Sequence, residues 1–385
     1  MKFALFNLGF RPFFLFGSLY ALVSVAVWVL IYSSQLDMQT ADSSPMIWHG
    51  HEMIFGYAAA VITGFLLTAA RNWTGIQTLH GWPLFLLLLC WLIARILGFT
   101  DRLLLQAVFD NLFLLFFAVA LTRPIVRAKH WKSLGIVSKI VLLMASNIVF
   151  YLGGAHVLEN GERIGLFSGL YLVIALILVL SRRVLPFFTE RGVGYPVELT
   201  NRLWLDRISL LLFLFFWIAD IIDYGGILAT LLAAILFVLH VIRIHGWYTP
   251  GIWRQPLLWC LFSAYVFIIL GFLLKTLAGI TTLSPNLAIH AFTYGGIGMM
   301  TLGMMSRVAL GHTGRNVYAP SSALFWMFVV FLSGAVIRVI FPVFAPGHYL
   351  LWIQWSHIHW LIAFSLFVFL YASKLILPRV DGKPG

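Results

Sequence analysis

The sequence predicts an all-α polytopic membrane protein with twelve transmembrane helices and both termini in the cytoplasm. Three observations predict it: an extreme apolar composition, apolar runs of spanning length, and a sharp alternation of charge between the breaks. The chain of 385 residues has a mean hydropathy of +0.97, with 62% hydrophobic residues and 10% charged ones, which excludes an ordinary soluble domain. A spanning helix needs about 20 apolar residues, whereas barrels show short alternating segments, so the class is helical. The runs place helices at 12–34, 45–70, 82–100, 103–122, 134–153, 163–183, 205–222, 225–244, 255–275, 285–308, 321–342 and 348–375.

Charge sets the orientation. With the N-terminus inside, starting from Lys2, all of the 25 basic residues except Arg95, Arg102, Arg163, Lys275 and Arg338 fall on cytoplasmic segments or helix ends. Nine acids, Asp37, Asp42, Glu52, Asp101, Asp110, Glu159, Glu162, Asp220 and Asp223, fall outside. This is the positive-inside pattern. The net charge of +12 is thereby a matter of topology and anionic lipid, and nucleic acid is not expected as a partner. Cys90 and Cys260 each sit inside a predicted helix without C-x-x-C spacing, so neither a disulfide framework nor covalent haem attachment is expected. No cleavage site follows the N-terminus, which is expected to be retained. The longest connection, about 184–204, is too short for a second folded domain, and residues 1–385 are expected to form a single membrane domain.

The helices carry an internal echo. At an offset of 239, residues 51–75 lie over 290–314 without a gap, pairing His51 with His290, Gly56 with Gly295, Gly64 with Gly303, Thr74 with Thr313 and Gly75 with Gly314. The sixth helix ends in a related stretch, Arg183 to Thr189. Helices two, six and ten would then be equivalent, and the twelve helices would form three groups of four.

Both echo helices are expected to start at a Ser-Pro, Ser44-Pro45 and Ser284-Pro285, since Ser suits the N-cap and Pro the first turn. His51 and His290 then fall at matching depth on the outer side. Two neutral imidazoles facing one another across a gap between helices are what a six-coordinate haem b requires. Helix packing explains the neighbouring glycines without a cofactor, and a lone intramembrane His is as often a hydrogen-bonded core residue as a functional one. The matched pair favours ligation. Arg95 and Arg338 are expected propionate partners, with snorkelling as the competing explanation, and Asp110 as a neutralising charge.

His49 points about 200° away from His51 on a helix. It can bind a second metal, bond a haem edge, or sit at the interface beside Trp48. Glu52 makes no zinc-protease motif, because Phe55 stands where H-E-x-x-H needs a His; it can complement the helix dipole or relay protons. The cytoplasmic side has His240, His245 and His312, with Arg307 and Arg315 able to hold carboxylates or propionates; an ordinary basic inner face is the plainer account, above all for His245. His357 and His359 have the same divergent spacing as 49 and 51.

The blocks WHGHEMIFGYAAAVITGFLLTAARNWTG (48–75), RRVLPFFTERG (182–192), LHVIRIHGW (239–247) and HAFTYGGIGMMTLGMMSRVALGHTGR (290–315), with a closing PRVDG (378–382), resemble the NnrS family of bacterial inner-membrane proteins. That resemblance implies twelve spans, bound haem with copper as a further candidate, and a link to nitric oxide metabolism, denitrification and nitrosative-stress tolerance. The family-like histidines are His49, His51, His240, His290 and His312, so the expected metal ligands are these five. The triplicated plan is also similar to the haem–copper oxidase core, but helices six and seven lack the histidines of its second metal, and a standard binuclear centre is not expected.

The expected function is nitric oxide binding or electron transfer at a haem b held between helices two and ten; the electron donor is not readable. Two other classes meet the same residues. One is a secondary transporter with an ion- or proton-coupled site near Glu52 and Asp110. The other is a haem or copper assembly factor.

Overall fold

The structure, a computed structural model, describes residues 3–36 and 44–383. Lys2, Asp37 and Asp42, which enter the charge argument, lie outside the described residues. Among the described residues every element is helical, as lipid demands of a chain whose backbone groups must pair within each segment.

All twelve apolar segments are helical. They are α1 (Phe10–Tyr32), α2 (Pro45–Thr74), α3 (Trp82–Leu97), α4 (Leu103–Arg127), α5 (Leu134–Gly154), α6 (Gly161–Gly192), α7 (Leu203–Ile222), α8 (Ile227–Gly246), α9 (Pro256–Ile280), α10 (285–312), α11 (Ser322–Val339) and α12 (Tyr349–Ile376). Nine of the described segments are long and apolar enough to cross a membrane on their own. α3 is only 16 residues long, and α7 carries Asp206, Arg207 and Asp220.

α2 and α10 share an unusual local geometry. In α2 the α-helix Pro45–His51 gives way to a π-helical stretch, Glu52–Ala58. In α10 the α-helix Pro285–His290 gives way to one at Ala291–Gly298. π-segments are rare and concentrate at functional positions. Each begins directly after the paired histidine, and each helix is followed by a glycine in the left-handed region, Gly75 at φ 69° and Gly314 at φ 78°. Thr74 and Thr313 close the last turns alike, donating to the carbonyls of Ala70 and Ala309 at 2.6 Å. The starts differ in detail: Ser44 Oγ accepts from Ile47 N at 3.4 Å, while Ser284 makes no side-chain cap. α6 has no π-stretch.

The segment 184–192, expected as part of a cytoplasmic loop, is instead a continuation of α6 through Pro186 to Gly192. A proline inside a helix frees the carbonyl four residues earlier. Asn201 Nδ2 donates to that carbonyl, Arg182 O, at 3.2 Å, and Glu190 Oε1 accepts from Leu199 N at 3.1 Å. The loop thus folds back and repairs the helix it follows.

The chain divides into two compact units, Met1–Leu172 with Met305–Arg315 and Phe364–Gly385, and Val173–Met304 with Asn316–Ala363. In the first, α1 meets α2 through glycines: a Cβ on Gly64 would lie 2.9 Å from Phe13 Cβ. α5 meets α6 backbone to backbone, since a Cβ on Gly165 would lie 2.5 Å from Phe150 N. In the second unit a Cβ on Gly271 would stand 2.5 Å from the Phe292 ring, so α9 and α10 interlock at the π-stretch.

Gly64→Ala should therefore lower stability by about 1–3 kcal/mol, the usual cost of overpacking. Gly135→Ala, where a Cβ meets nothing within 4 Å, should leave it unchanged or slightly raised. Thermal melts of the purified variants check both.

Candidate functional site

In the first unit, polar side chains gather where α2 changes from α to π. Glu52, fully buried, opens the π-stretch and carries four bonds. Its Oε2 accepts from Arg95 Nη1 and from the Tyr20 hydroxyl. Its Oε1 accepts from Gln106 Nε2 at 3.2 Å and faces His51 Nδ1 at 3.0 Å. Arg95, on α3, is 2% exposed and bridges to Asp110 on α4 through Nη2 at 2.5 Å. Asp110 Oδ2 accepts from the Tyr151 hydroxyl at 2.9 Å and stands 3.5 Å from His51 Nε2.

Five helices hold this cluster, α1 through α5, and the π-stretch lets Arg95 reach in. A Cβ on Gly56 would lie 2.8 Å from Arg95 Nη1 and 3.0 Å from the Tyr20 ring, so the glycine is a condition of the ion pair. Trp91 Nε1 donates to Gly56 O at 3.0 Å and Trp48 Nε1 to Gly98 O at 2.9 Å, pinning α3 against α2. An arginine between two carboxylates is the arrangement in which a buried charge is tolerated. Asp110 was the expected neutraliser of an outer arginine, and its partner is Arg95.

His51 has acceptors on both sides. Nδ1 faces the Glu52 carboxylate, and Nε2 faces Asn147 Oδ1 at 3.0 Å. Phe150 stacks on the ring at 4.3 Å. A neutral imidazole has one donor and one acceptor nitrogen, so both contacts are satisfied together only by an imidazolium. With it the two carboxylates and two cations sum to zero. Asn147 Nδ2 is buried with no hydrogen-bond partner among the described residues, and turning the amide over would present that N–H to a neutral His51.

His290, in the second unit, is built differently. Its Nδ1 donates to Asn286 O at 2.7 Å, which leaves the lone pair on Nε2, and there Arg338 Nη2 donates at 3.1 Å. Arg338 also reaches the Tyr349 hydroxyl at 3.3 Å. Ala291 stands where the other helix has Glu52. In a neutral ring the contacts with Asn286 O and Arg338 correspond to the tautomer with its proton on Nδ1.

The other expected ligands lie apart from these two histidines. His49 stacks on Trp28, centroids 4.5 Å apart and 15° from parallel, on the far side of α2 from His51. His240 is fully buried on α8; Nδ1 meets the Tyr265 hydroxyl at 2.7 Å and Arg243 Nη1 at 3.1 Å, and Nε2 is buried without a partner among the described residues. Arg243 is spent on Asp206, Ser209 and Leu205 O. His245 is exposed at the rim of a cavity of about 660 Å³ formed by 197–202 and 241–250. His312 packs on Phe10 at 5.6 Å, Arg315 Nη1 reaches Thr313 O at 3.5 Å, and Arg307 is buried near the end of α10. Among the described residues no three His, Cys, Asp or Glu side chains gather as a metal-binding group. Asp220, counted among the acids of the outer side, is buried against Lys275 Nζ at 2.6 Å.

A family model described as NnrS protein matches residues 4–379. The chain belongs to the NnrS family. Membership fits a membrane protein connected with nitric oxide, and the multi-pass helical architecture agrees with it. No curated protein matches the chain.

In this NnrS-family chain, Tyr20, Gln106, Asn147 and Tyr151 are the site residues that sequence reasoning missed. Gln106 and Asn147 had a legible signal, each an amide inside an apolar run. Tyr151 had none, since a tyrosine near a helix end reads as an ordinary interfacial residue.

Arg95→Met should cost about 3–5 kcal/mol, because it strands two buried carboxylates. Adding Glu52→Gln and Asp110→Asn should recover a large part of the loss, since the charges disappear together. Chemical or thermal denaturation of the single and triple variants reads the difference.

Proposed function

We propose that this protein serves nitric oxide metabolism or protection from nitrosative stress at the bacterial inner membrane, and that the His51–Glu52–Arg95–Asp110 cluster is its buried proton site. The observation that carries the reading is the pair of acceptors around His51 beside an amide nitrogen with no hydrogen-bond partner among the described residues. Protonated, the ring donates to Glu52 and to Asn147 Oδ1. Neutral, it accepts from Asn147 with the amide turned over, and the cluster holds a net charge of −1. One proton therefore moves together with one amide flip and one unit of buried charge. Reduction of nitric oxide consumes protons as well as electrons, and buried ionisable groups in membrane helices mark such relays. The same switch suits a proton-coupled transporter using Glu52 and Asp110, which differs in having no need of a chromophore.

Haem b enters this reading through His290. Its Nδ1–H bond to a backbone carbonyl is the arrangement that fixes an imidazole for an iron or copper ion at Nε2, so His290 fits the group once Arg338 turns toward a propionate or Tyr349. Haem would supply a redox-active iron able to bind nitric oxide. His51 fits less well, because ligation would strip Nε2 from Asn147 and Asp110. His240 fits no better as it stands, because Nδ1 accepts from Arg243 Nη1 and a neutral ring then carries its proton on the buried Nε2.

Complementation tests the function. In a deletion strain exposed to a nitric oxide donor, the wild-type gene should restore growth and His51→Gln should not, at equal membrane abundance by immunoblot. Full protection by His51→Gln would remove the proton site from the mechanism. Pyridine haemochrome assays of the purified proteins separate the readings further: His290→Ala should lose haem that His51→Ala keeps. Equal loss in both would restore the two-histidine clamp, and a colourless wild type would favour the transporter.

A further inference from the structure

A second charged group in the first unit lies at the opposite end of the helices, on the side that charge assigns to the cytoplasm. Arg11 opens α1 and is fully buried. Its Nη1 donates to the C-terminal carbonyls of α12, Lys374 O at 3.3 Å, Leu375 O at 3.0 Å and Leu377 O at 2.8 Å. That accounts for two of the five N–H groups of the guanidinium. Nε and Nη2 are buried and have no hydrogen-bond partner among the described residues. These two N–H groups share one edge of the planar fork, the edge that grips an oxyanion with two parallel bonds.

The surroundings of that edge are cationic. Arg379 Nη1 donates to His312 O at 3.0 Å, and the charges of Arg11, Arg71 and Arg379 all act on His312. Arg315 and Arg379 act on Arg11 in turn. The one carboxylate in the group, Asp381, is already engaged by Arg379 through Nε at 2.9 Å and Nη2 at 2.6 Å. Those bonds hold its carboxyl below the usual carboxylate range, so it stays ionised and committed to Arg379. Four arginines face a single spent acid. A buried guanidinium edge without an acceptor is expensive, and like charges brought this close repel unless an anion stands between them.

We propose that Arg11, with Arg71, Arg315 and Arg379 around His312, forms a binding site for a small oxyanion of the carboxylate or nitrate type. Arg11 supplies the two-pronged contact, and its complete burial selects a small planar anion over a bulky one. Arg71 and Arg315, both half-buried, draw the anion in from the cytoplasmic side. Because Arg11 also caps α12, the anion's charge stabilises the junction of α1 and α12. The inference is independent of the proton site and of any haem.

The test uses the full-length protein purified in uncharged detergent at low salt, with its melting temperature followed against sodium nitrate and against sodium chloride at equal ionic strength. Nitrate should raise Tm saturably, by several degrees more than chloride. Arg71→Gln/Arg315→Gln, which leaves the α12 cap in place, should weaken the apparent affinity by roughly tenfold, the effect of losing about 1.4 kcal/mol of attraction. Arg11→Lys, which keeps the charge but loses the fork, should abolish the preference for nitrate over chloride. Equal shifts with the two salts would mean that screening or water satisfies Arg11, and would overturn the proposal. So would wild-type affinity in the double variant, or a shift produced only by added phosphatidylglycerol, which would assign the cations to a lipid headgroup.

Discussion

The first unit depends on one interaction, the burial of the Arg95 guanidinium between the carboxylates of Glu52 and Asp110. A charge in the membrane interior is tolerated only when its partners arrive with it, and here the arginine and its two carboxylates come from three different helices. Gly56 clears the space, the π-stretch turns Glu52 inward, and the two tryptophan N–H bonds hold α2 and α3 at that distance. Tyr20, Gln106 and Tyr151 take up the remaining carboxylate lone pairs. The five helices α1 to α5 are therefore constrained by the need to keep these buried charges paired.

Within that frame His51 is the one residue with a choice. Arg95 is permanently charged and the carboxylates are held by it, whereas the imidazole can be satisfied in either protonation state by one movement of Asn147. The contrast with His290 is informative because the two share their π-stretch, their left-handed glycine and their closing threonine. What separates them is the next residue, Glu52 in one and Ala291 in the other. In one a carboxylate faces the ring at Nδ1; in the other Nδ1 donates to a backbone carbonyl and an arginine occupies Nε2. The same local fold thus surrounds its histidine with two different hydrogen-bond environments.

Arginines do unlike work in this chain. Arg95 neutralises, Arg338 guards a histidine lone pair, and Arg243 ties α7 and α8 together through Asp206 and Ser209. Arg11 divides its fork between helix carbonyls and an edge with no hydrogen-bond partner among the described residues. Charge counting along the chain treats all of them alike as markers of sidedness or lipid contact. Their roles separate only when the acceptor of each N–H is known.

The sequence alone determined the helical membrane class, the run of apolar helical segments and the family, because these follow from hydropathy, run length and local motifs that are carried by neighbouring residues. It also marked His51, Glu52, Arg95 and Asp110 as unusual, since ionisable groups stand out against an apolar run. Only the tertiary structure decided which of them meet. Asp110 lies 15 residues from Arg95 and Asn147 lies 96 residues from His51, and no periodicity relates such positions. The continuation of α6 through Pro186 was likewise hidden, because the carbonyl that the proline frees is repaired by Asn201 from beyond the helix. Hydrogen-bond partnership across helices depends on packing angle and on the π-turns that set it, and those are properties of the assembled helices.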